Sequence, residues 1–242
     1  MRVLVIIPTY DEAENIADVL ARVHAAAPDV HVLVVDDASP DGTGDLVAGL
    51  AGDDQRLHLI RRPGKAGLGS AYRAGFRWGA DQGYDVMVEM DADLSHDPAA
   101  LPGLLARIDD GADLVIGSRY VPGGSIPDWS WHRKALSRWG NRYAGAVLSL
   151  DVADATAGYR AYRASALADI DLHTVRADGY GFQIEMADRV ARNGGRIDEV
   201  PISFTDRTRG TSKMSGRIVV EALVLVTWWG VRRRVPLRRS NG

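Results

Sequence analysis

The stretch VLVIIPTYDEAENIADVLARVHAAAPDVHVLVVDD, residues 3–37, carries two kinds of apolar pattern. Val3–Ile7 and His31–Val35 are short, nearly continuous apolar runs of strand length, whereas Glu14–Ala27 has apolar residues at helical spacing. Strand, helix and strand in this order make a βαβ unit, in which the two strands lie parallel. The stretch therefore predicts a parallel sheet with helices packed on its faces.

The alternation of strand and helix signals continues to residue 120 and then becomes irregular. Further strands are predicted at Leu57–Ile60, Asp85–Met90 and Asp113–Ile116, and helices at Asp45–Ala51, Gly69–Gln82 and Pro98–Ile108. Beyond residue 120, helices are predicted at Ser130–Leu148, Tyr180–Arg192 and Arg217–Val231, and extended segments at Ala161–Tyr162 and Arg196–Phe204. We predict one α/β domain with a mainly parallel central sheet over residues 1–216, then a membrane-associating helix and Arg-rich tail over residues 217–242.

The composition is that of an ordinary globular protein, since 46% of the 242 residues are hydrophobic and 25% are charged. The sequence contains no cysteine, which excludes disulfide frameworks, cysteine-bound zinc and thiol nucleophiles and fits a reducing compartment. A net charge of −3 argues against a dedicated nucleic-acid binder. We see no secretory signal and no run of about 18 uncharged apolar residues, so no membrane-spanning helix is expected.

Two basic segments without acidic residues also carry tryptophans. In the predicted helix 130–148, Trp131 and Trp139 accompany a basic face, and near the C-terminus Trp228 and Trp229 precede five arginines. Such segments are typical of helices that lie on an anionic membrane surface. We expect peripheral association with the cytoplasmic face of a membrane; two solvated helix faces are the alternative.

Polar side chains follow four of the predicted strands. The segments Pro8–Glu12, Asp36–Thr43, Asp91–Asp93 and Gly117–Tyr120 each lie where an apolar run ends. In an open parallel sheet, ligands bind beyond the carboxyl ends of the strands. The four segments are therefore expected to contribute to one site.

Asp91 and Asp93 form the sharpest pair among these residues. Side chains two apart in an extended segment point the same way, so both carboxylates can meet one cation. An all-oxygen site suits Mg²⁺ or Mn²⁺, with water and substrate phosphates in the remaining positions. An Asp-x-Asp pair also arises by chance, but its place directly after a strand favours a metal site.

Three other segments keep two interpretations each. Asp36–Thr43 is either a helix-capping turn or a place where a carboxylate binds a nucleobase or ribose. Gly64–Gly69 fits neither the Walker nor the dinucleotide pattern, which leaves a helix N-terminus with one cation, Lys65. The loop Phe204–Lys213 either closes over a diphosphate or is a solvated basic loop.

Taken together, these motifs resemble the family-2 glycosyltransferases of GT-A fold, and among them the polyprenol (dolichol) phosphate mannose synthases. The matching segments are Pro8–Asn15, Val35–Thr43, Lys65–Ala71, Asp91–Pro98, Gly117–Tyr120, Asp154–Arg163 and Phe204–Lys213. The resemblance implies GDP-mannose as donor, a polyprenyl phosphate as acceptor and inversion at the sugar carbon. It also allows a separate membrane-protein partner, whereas the net charge is the reason that no nucleic-acid partner is expected.

The resemblance also implies roles for individual residues. Those implied for the guanosine pocket are Pro8, Tyr10, Glu12, Val35 and Asp37, with Lys65 as a further donor contact. Those implied for the metal and the diphosphate are Asp91, Ala92 and Asp93, with Ser95 standing where the family often has a glutamine ligand. Those implied for phosphates are Arg119, Arg207 and Lys213 on the donor and Arg119, Arg133 and Ser212 on the acceptor. Asp91, Asp93 and Arg119 are the expected catalytic residues.

A phosphate monoester is already ionised near neutral pH, because its second pKa is about 6. Its oxygen needs no base to become a nucleophile, so we predict that no general base is essential and that Glu185 is structural. Two alternatives stay open from the sequence: a UDP-sugar-dependent polyprenyl-phosphate glycosyltransferase of the same fold, and a membrane-bound nucleotide-binding module without transfer activity.

Overall fold

A computed structural model of the chain describes residues 1–206 and 216–234. Its single sheet has seven strands: β1 Val3–Thr9, β2 His31–Asp36, β3 Leu57–Arg61, β4 Val86–Glu89, β5 Leu114–Ser118, β6 Arg160–Arg163 and β7 Ile197–Pro201. The strand order is β3-β2-β1-β4-β6-β5-β7. All neighbouring pairs are parallel except those of β6, which lies antiparallel between β4 and β5. The predicted α/β fold with a mainly parallel sheet is confirmed.

Eight α-helices accompany the sheet in the described residues. They are α1 Ile16–Ala26, α2 Thr43–Asp53, α3 Leu68–Asp81, α4 Leu101–Asp109, α5 Trp131–Leu148, α6 Ala164–Ala168, α7 Gly179–Arg192 and α8 Gly216–Arg234, with a 3-10 turn at Pro98–Ala100. Buried side chains of α3, α5 and α7 pack on one face of the sheet, and those of α1 and α4 pack on the other. The strands are buried on both faces, which explains their continuous apolar runs.

The sequence patterns missed two features of this fold. The short helix α6 carries no helical periodicity that distinguishes it from a turn. The predicted strand Arg196–Phe204 ends earlier, at Pro201, and Phe204 pairs only through an isolated bridge to His96.

The C-terminal helix α8 packs against the domain. The Thr227 and Tyr143 hydroxyls lie 2.7 Å apart and join α8 to α5, and Ala222 and Val226 are buried. In residues 1–206 and 216–234, no helix is long and apolar enough to cross a membrane. The division at residue 216 stays a prediction, and the predicted tail beyond Arg234 lies outside the described residues.

Candidate active site

The loops after β1 and β2 are tied together by two aspartates. Asp36 accepts a hydrogen bond from the Thr9 hydroxyl at 2.9 Å and from the Ser39 amide at 3.1 Å. Asp41 accepts from the amides of Ala13 and Thr43 at 2.9 and 3.0 Å. In the sequence Asp36-Asp37, the first carboxylate therefore serves as a structural anchor of the site.

Asp37 has a different environment, facing the segment that precedes α3. Its Oδ2 accepts a hydrogen bond from the Ala66 amide at 3.3 Å, and its Oδ1 lies 3.2 Å from Arg62 Nε without hydrogen-bond geometry. Burial raises the pKa of Asp37, although Arg62 opposes this. The next residue back, Lys65, places its ammonium 4.3 Å from the centre of the Tyr10 ring. The structure thus brings Tyr10, Asp37 and Lys65 close together, and their part in donor binding stays a prediction.

Glycines allow this segment to approach α7 closely. Gly67 has φ +90°, and a Cβ there would lie 2.0 Å from Asp178 Oδ2. The Gly69 amide donates to Asp178 Oδ1 at 2.7 Å. Close packing against the start of α7 explains a glycine-rich sequence that fits neither phosphate-loop pattern.

The Asp-x-Asp segment follows β4 and bends back on itself. Asp91 is partly open, with 33% of its side chain exposed, and its Oδ1 accepts from the Tyr72 hydroxyl at 3.4 Å. Asp93 is buried and accepts from the Ser95 amide at 3.0 Å. The turn passes through Leu94 with φ +63°, and the Ser95 hydroxyl is buried without a hydrogen-bond partner in the described structure.

These residues fit a hard divalent cation. Across residues 1–206 and 216–234, no three histidine, cysteine, aspartate or glutamate side chains gather as a metal cluster. Two carboxylates with an unpaired buried hydroxyl nearby suit Mg²⁺ or Mn²⁺, because such ions commonly keep several waters and bind substrate phosphates alongside one or two carboxylates.

His96 was missed by the sequence analysis. Its Nδ1 accepts a hydrogen bond from the Asp91 amide at 3.2 Å, and its ring stacks on Tyr159 at 5.2 Å and meets Phe204 edge-on at 5.6 Å. His96 thus holds the backbone of the Asp-x-Asp turn. The one sequence signal for His96 is that it lies five residues after Asp91, within the segment that follows β4.

Arg119 forms a buried ion pair with Asp154. Its side chain is 5% exposed and that of Asp154 is fully buried. Nε and Nη2 reach the two carboxylate oxygens at 2.7 and 2.6 Å, and the Arg119 amide adds a third bond at 3.0 Å. Burial opposes the charge of Arg119, but Asp154 raises its pKa. This face of the guanidinium is occupied by protein, so the predicted phosphate contact would need its remaining edge.

Arg133 lies at the start of α5, beside the first residues of the loop Phe204–Lys213. Its guanidinium stacks on Trp129 at 3.7 Å and pairs with Asp206 at 2.9 Å. Trp129 Nε1 also donates to Asp206 at 2.9 Å. The predicted phosphate residues Arg207, Ser212 and Lys213 lie outside the described residues.

The remaining predicted residues differ in accessibility. Pro8 is partly exposed, and Glu12 accepts a hydrogen bond from Asn15 Nδ2 at 2.9 Å. Ala92 is almost fully buried. Val35 is fully buried in the core, so its place in the guanosine pocket stays a prediction.

Glu185 belongs to α7 and is engaged within the fold. It pairs with Arg189 at 2.5 Å and accepts from the Ala177 amide at 3.3 Å. A cavity of about 880 Å³ between α7 and α8 is lined by Glu185, Arg189 and Trp228, among others. Its lining includes neither Asp37 nor the Asp91–Asp93 pair.

The model of the family described as "Glycosyl transferase family 2" matches residues 4–171. Polyprenol monophosphomannose synthase of Mycolicibacterium smegmatis is 54% identical, over 99% of this chain and 91% of that protein. Undecaprenyl-phosphate mannosyltransferase of Micrococcus luteus is 56% identical, over 97% of this chain and 96% of that protein.

Solved structures share the fold. Glucosyl-3-phosphoglycerate synthase from Mycobacterium tuberculosis superposes with a TM-score of 0.70 at 19% identity, covering 98% of this chain and 81% of that one. A mannosyltransferase from Pyrobaculum calidifontis, in complex with GDP-Man and Mn²⁺, has a TM-score of 0.66 at 21% identity, covering 96% and 64%. At these identities the likeness concerns the fold alone.

Proposed function

Since the chain belongs to glycosyl transferase family 2, we propose that it transfers mannose from GDP-mannose to a polyprenyl phosphate with inversion at the sugar carbon. The observation that carries the proposal is 54–56% identity over nearly the whole chain to two proteins whose names describe mannose transfer involving polyprenyl compounds. The mannosyltransferase with GDP-Man and Mn²⁺, a likeness in fold, is compatible with this donor.

On this proposal the donor base enters beside Tyr10, Asp37 and Lys65. The Asp37 carboxylate accepts hydrogen bonds from the base, and Lys65, stacked on Tyr10 at 4.3 Å, supplies a positive charge near the diphosphate. Pro8 and Glu12 border the pocket from the loop after β1. Asp36 acts indirectly, because it fixes the geometry of both loops through Thr9 and Ser39.

Asp91 and Asp93, with the Ser95 hydroxyl, would hold Mg²⁺ or Mn²⁺. Bound there, the cation supplies positive charge against the diphosphate and stabilises the departing GDP. His96 keeps the Asp-x-Asp turn in shape through the Asp91 amide.

The transfer needs no proton to be removed. An oxygen of the acceptor phosphate bonds to the sugar carbon while that carbon's bond to the GDP oxygen breaks, and GDP leaves with the electron pair. The acceptor is already anionic near pH 7. The obstacle is repulsion among anions in one cleft, which the charges of Lys65, Arg133, Arg207 and Lys213 offset. The Ser212 hydroxyl donates a hydrogen bond to the acceptor phosphate. Glu185 has no role in proton transfer here.

The acceptor is expected to approach beside Arg133. Trp129 and Asp206 hold this guanidinium at the end of the sheet that carries Arg119. We place Arg119 as a positioning residue that acts through Asp154 and through its packing on Trp129, rather than as a direct grip on phosphate.

We place α5 and α8 on the cytoplasmic face of a membrane. Seven large apolar side chains on these two adjacent helices are exposed: Trp131, Leu136, Trp139, Val220, Val224, Trp228 and Val231. Arg232 lies 5.1 Å from the Trp228 ring, so a cation borders the apolar stripe. An interfacial helix combines these features, because its apolar face enters the acyl boundary while arginines meet anionic headgroups.

The experiment is incubation of the full chain with labelled GDP-mannose, Mn²⁺ and a polyprenyl phosphate, followed by organic extraction. Label is expected in the organic phase only when acceptor and cation are both present, and Asp91→Asn is expected to abolish it. GDP release without labelled lipid, or no release at all, would contradict the proposal and favour a binding module. Thermal shifts with GDP and with UDP, each with Mn²⁺, distinguish the UDP-sugar alternative.

Liposomes test the membrane assignment without any added protein. Binding to vesicles containing anionic lipid is expected to weaken strongly in Val224→Asp, with the exposed but non-apolar position Glu221→Asp as the matched control. Equal flotation of both variants would contradict an α8 interface. Failure of the wild type to float would favour a separate membrane-protein partner.

A further inference from the structure

A histidine pair and a tyrosine meet at the opposite end of the sheet from Asp91. His31 begins β2, His58 is the second residue of β3, and Tyr84 lies two residues before β4. His31 Nδ1 and His58 Nε2 are 3.1 Å apart, and Tyr84 Oη lies 2.9 Å from the first and 3.3 Å from the second. Three potential ligand atoms thus form a nearly equilateral triangle.

Hydrogen bonding alone satisfies this triangle poorly. Each imidazole nitrogen has one in-plane site, either a proton or a lone pair, so it can make only one well-directed hydrogen bond along the two edges that meet there. The Tyr84 proton can point well at one nitrogen or split between two. At least one edge therefore joins two electron-rich atoms without a well-directed proton between them.

A metal ion at the centre accounts for all three edges. Zinc bonds to imidazole nitrogen and to oxygen at about 2.0–2.2 Å with tetrahedral geometry, so its ligand atoms lie about 3.3 Å from one another. We propose that His31 Nδ1, His58 Nε2 and Tyr84 Oη form a binding site for a borderline transition-metal dication such as Zn²⁺, separate from the Asp91–Asp93 site. Water completes the coordination.

The surroundings hold the ligands in place. The two imidazoles stack at 5.4 Å, and Trp78 packs on His58 at 4.9 Å. Arg2, 4.5 Å from the centre of the Tyr84 ring, and Arg56 act against a cation here, while Asp54 acts for it. Imidazole ligands select zinc, copper or nickel over the magnesium or manganese that carboxylates prefer.

The two cation sites are independent in position. His31 and Asp36 are the first and last residues of β2, so the triangle lies about 17 Å along the strand from the carboxyl edge at 3.3 Å per residue. Metal at the triangle is therefore expected to bind whether or not the Asp91–Asp93 site is intact.

Zinc affinity of the full chain, measured by competition with a chromophoric chelator in excess Mg²⁺, tests the site. His31→Gln, His58→Gln and Tyr84→Phe are each expected to weaken Zn²⁺ binding at least tenfold. The exposed control His173→Gln and the catalytic-edge variant Asp91→Asn are expected to leave that affinity unchanged. Equal affinity in all five variants, or loss only in Asp91→Asn, would overturn the proposal.

A second measurement needs no variant and so does not depend on their folding. X-ray absorption of the wild type carrying one equivalent of Zn²⁺ is expected to show two imidazole ligands and further oxygen ligands. A first shell of oxygen alone would overturn the proposal.

Discussion

Breaking the Arg119–Asp154 pair is expected to destabilise the protein far more than an ordinary surface substitution. In Asp154→Ala, the Arg119 guanidinium keeps its charge but loses three hydrogen bonds to the carboxylate, at 2.7, 2.6 and 3.0 Å with the amide included. Both side chains are almost completely shielded from water. Removing one partner of such a pair costs about 3–5 kcal/mol.

The double variant Arg119→Met/Asp154→Ala separates charge from packing. It leaves no unpaired buried charge, so it is expected to regain a large part of the stability that Asp154→Ala loses. In a chain of this size, each kcal/mol corresponds to about 2–4 °C in Tm. The single variant should thus melt roughly 6–20 °C below the wild type.

Two measurements test this buried pair. Denaturant unfolding gives the stability of the wild type, both single variants and the double variant, and mannosyl transfer is measured below the lowest Tm of the four. If Arg119 is a positioning residue, the folded double variant is expected to keep measurable mannosyl transfer. A decrease of less than about 1 kcal/mol in the unfolding free energy of Asp154→Ala would refute a large contribution from the buried pair. A stable double variant without any transfer would instead restore the direct phosphate contact expected from the sequence.

Three further substitutions test separate parts of the site and fold. Gly67→Ala is expected to lower the free energy of unfolding by about 2 kcal/mol or more and to weaken GDP binding, because φ +90° disfavours a side chain and the new Cβ would meet Asp178. Gly64→Ala is the control, since position 64 has open space around it. Calorimetry should find its stability within about 0.5 kcal/mol of the wild type. Glu185→Gln is expected to keep mannosyl transfer. It should lose about 1–3 kcal/mol of stability, because its bonds to Arg189 and the Ala177 amide are weakened. Loss of transfer with normal donor binding would contradict a structural role. Burial lowers the pKa of His24 from 6.5, so the unfolded chain takes up this proton first and stability falls as pH drops through that range. His24→Gln should therefore lose less unfolding free energy between about pH 7 and 5 than the wild type, and identical pH profiles would argue against it.

The regular part of the fold follows from local pattern. Strands buried on both faces, such as β1 and β2, read as unbroken apolar runs, and their helices carry clear periodicity. β6 was located only at its centre, Ala161–Tyr162, because its flanking Arg160 is charged yet fully buried. That arginine is satisfied by distant partners, among them the Gln183 carbonyl at 2.6 Å, which no local pattern records.

The positions of the candidate site residues were predictable where these residues follow strand ends. They were unpredictable where their contacts come from residues far along the chain. Asp91 and Asp93 follow an apolar strand, so topology alone placed them at the ligand edge. Asp154 lies 35 residues from Arg119, and no local pattern indicated that its carboxylate would pair with the guanidinium. The side chain of Val35 faces α3 within the core, because side chains alternate between the two faces along β2. A motif match does not indicate to which face a side chain points.

The most direct test of the central claim is an anomalous difference map at the manganese edge, from crystals grown with GDP-mannose and Mn²⁺. One strong peak is expected at coordination distance from the carboxylates of Asp91 and Asp93 and from the donor diphosphate, with the base beside Tyr10 and Asp37. A bound nucleotide whose diphosphate lies away from both aspartates, with no manganese between them, would contradict it.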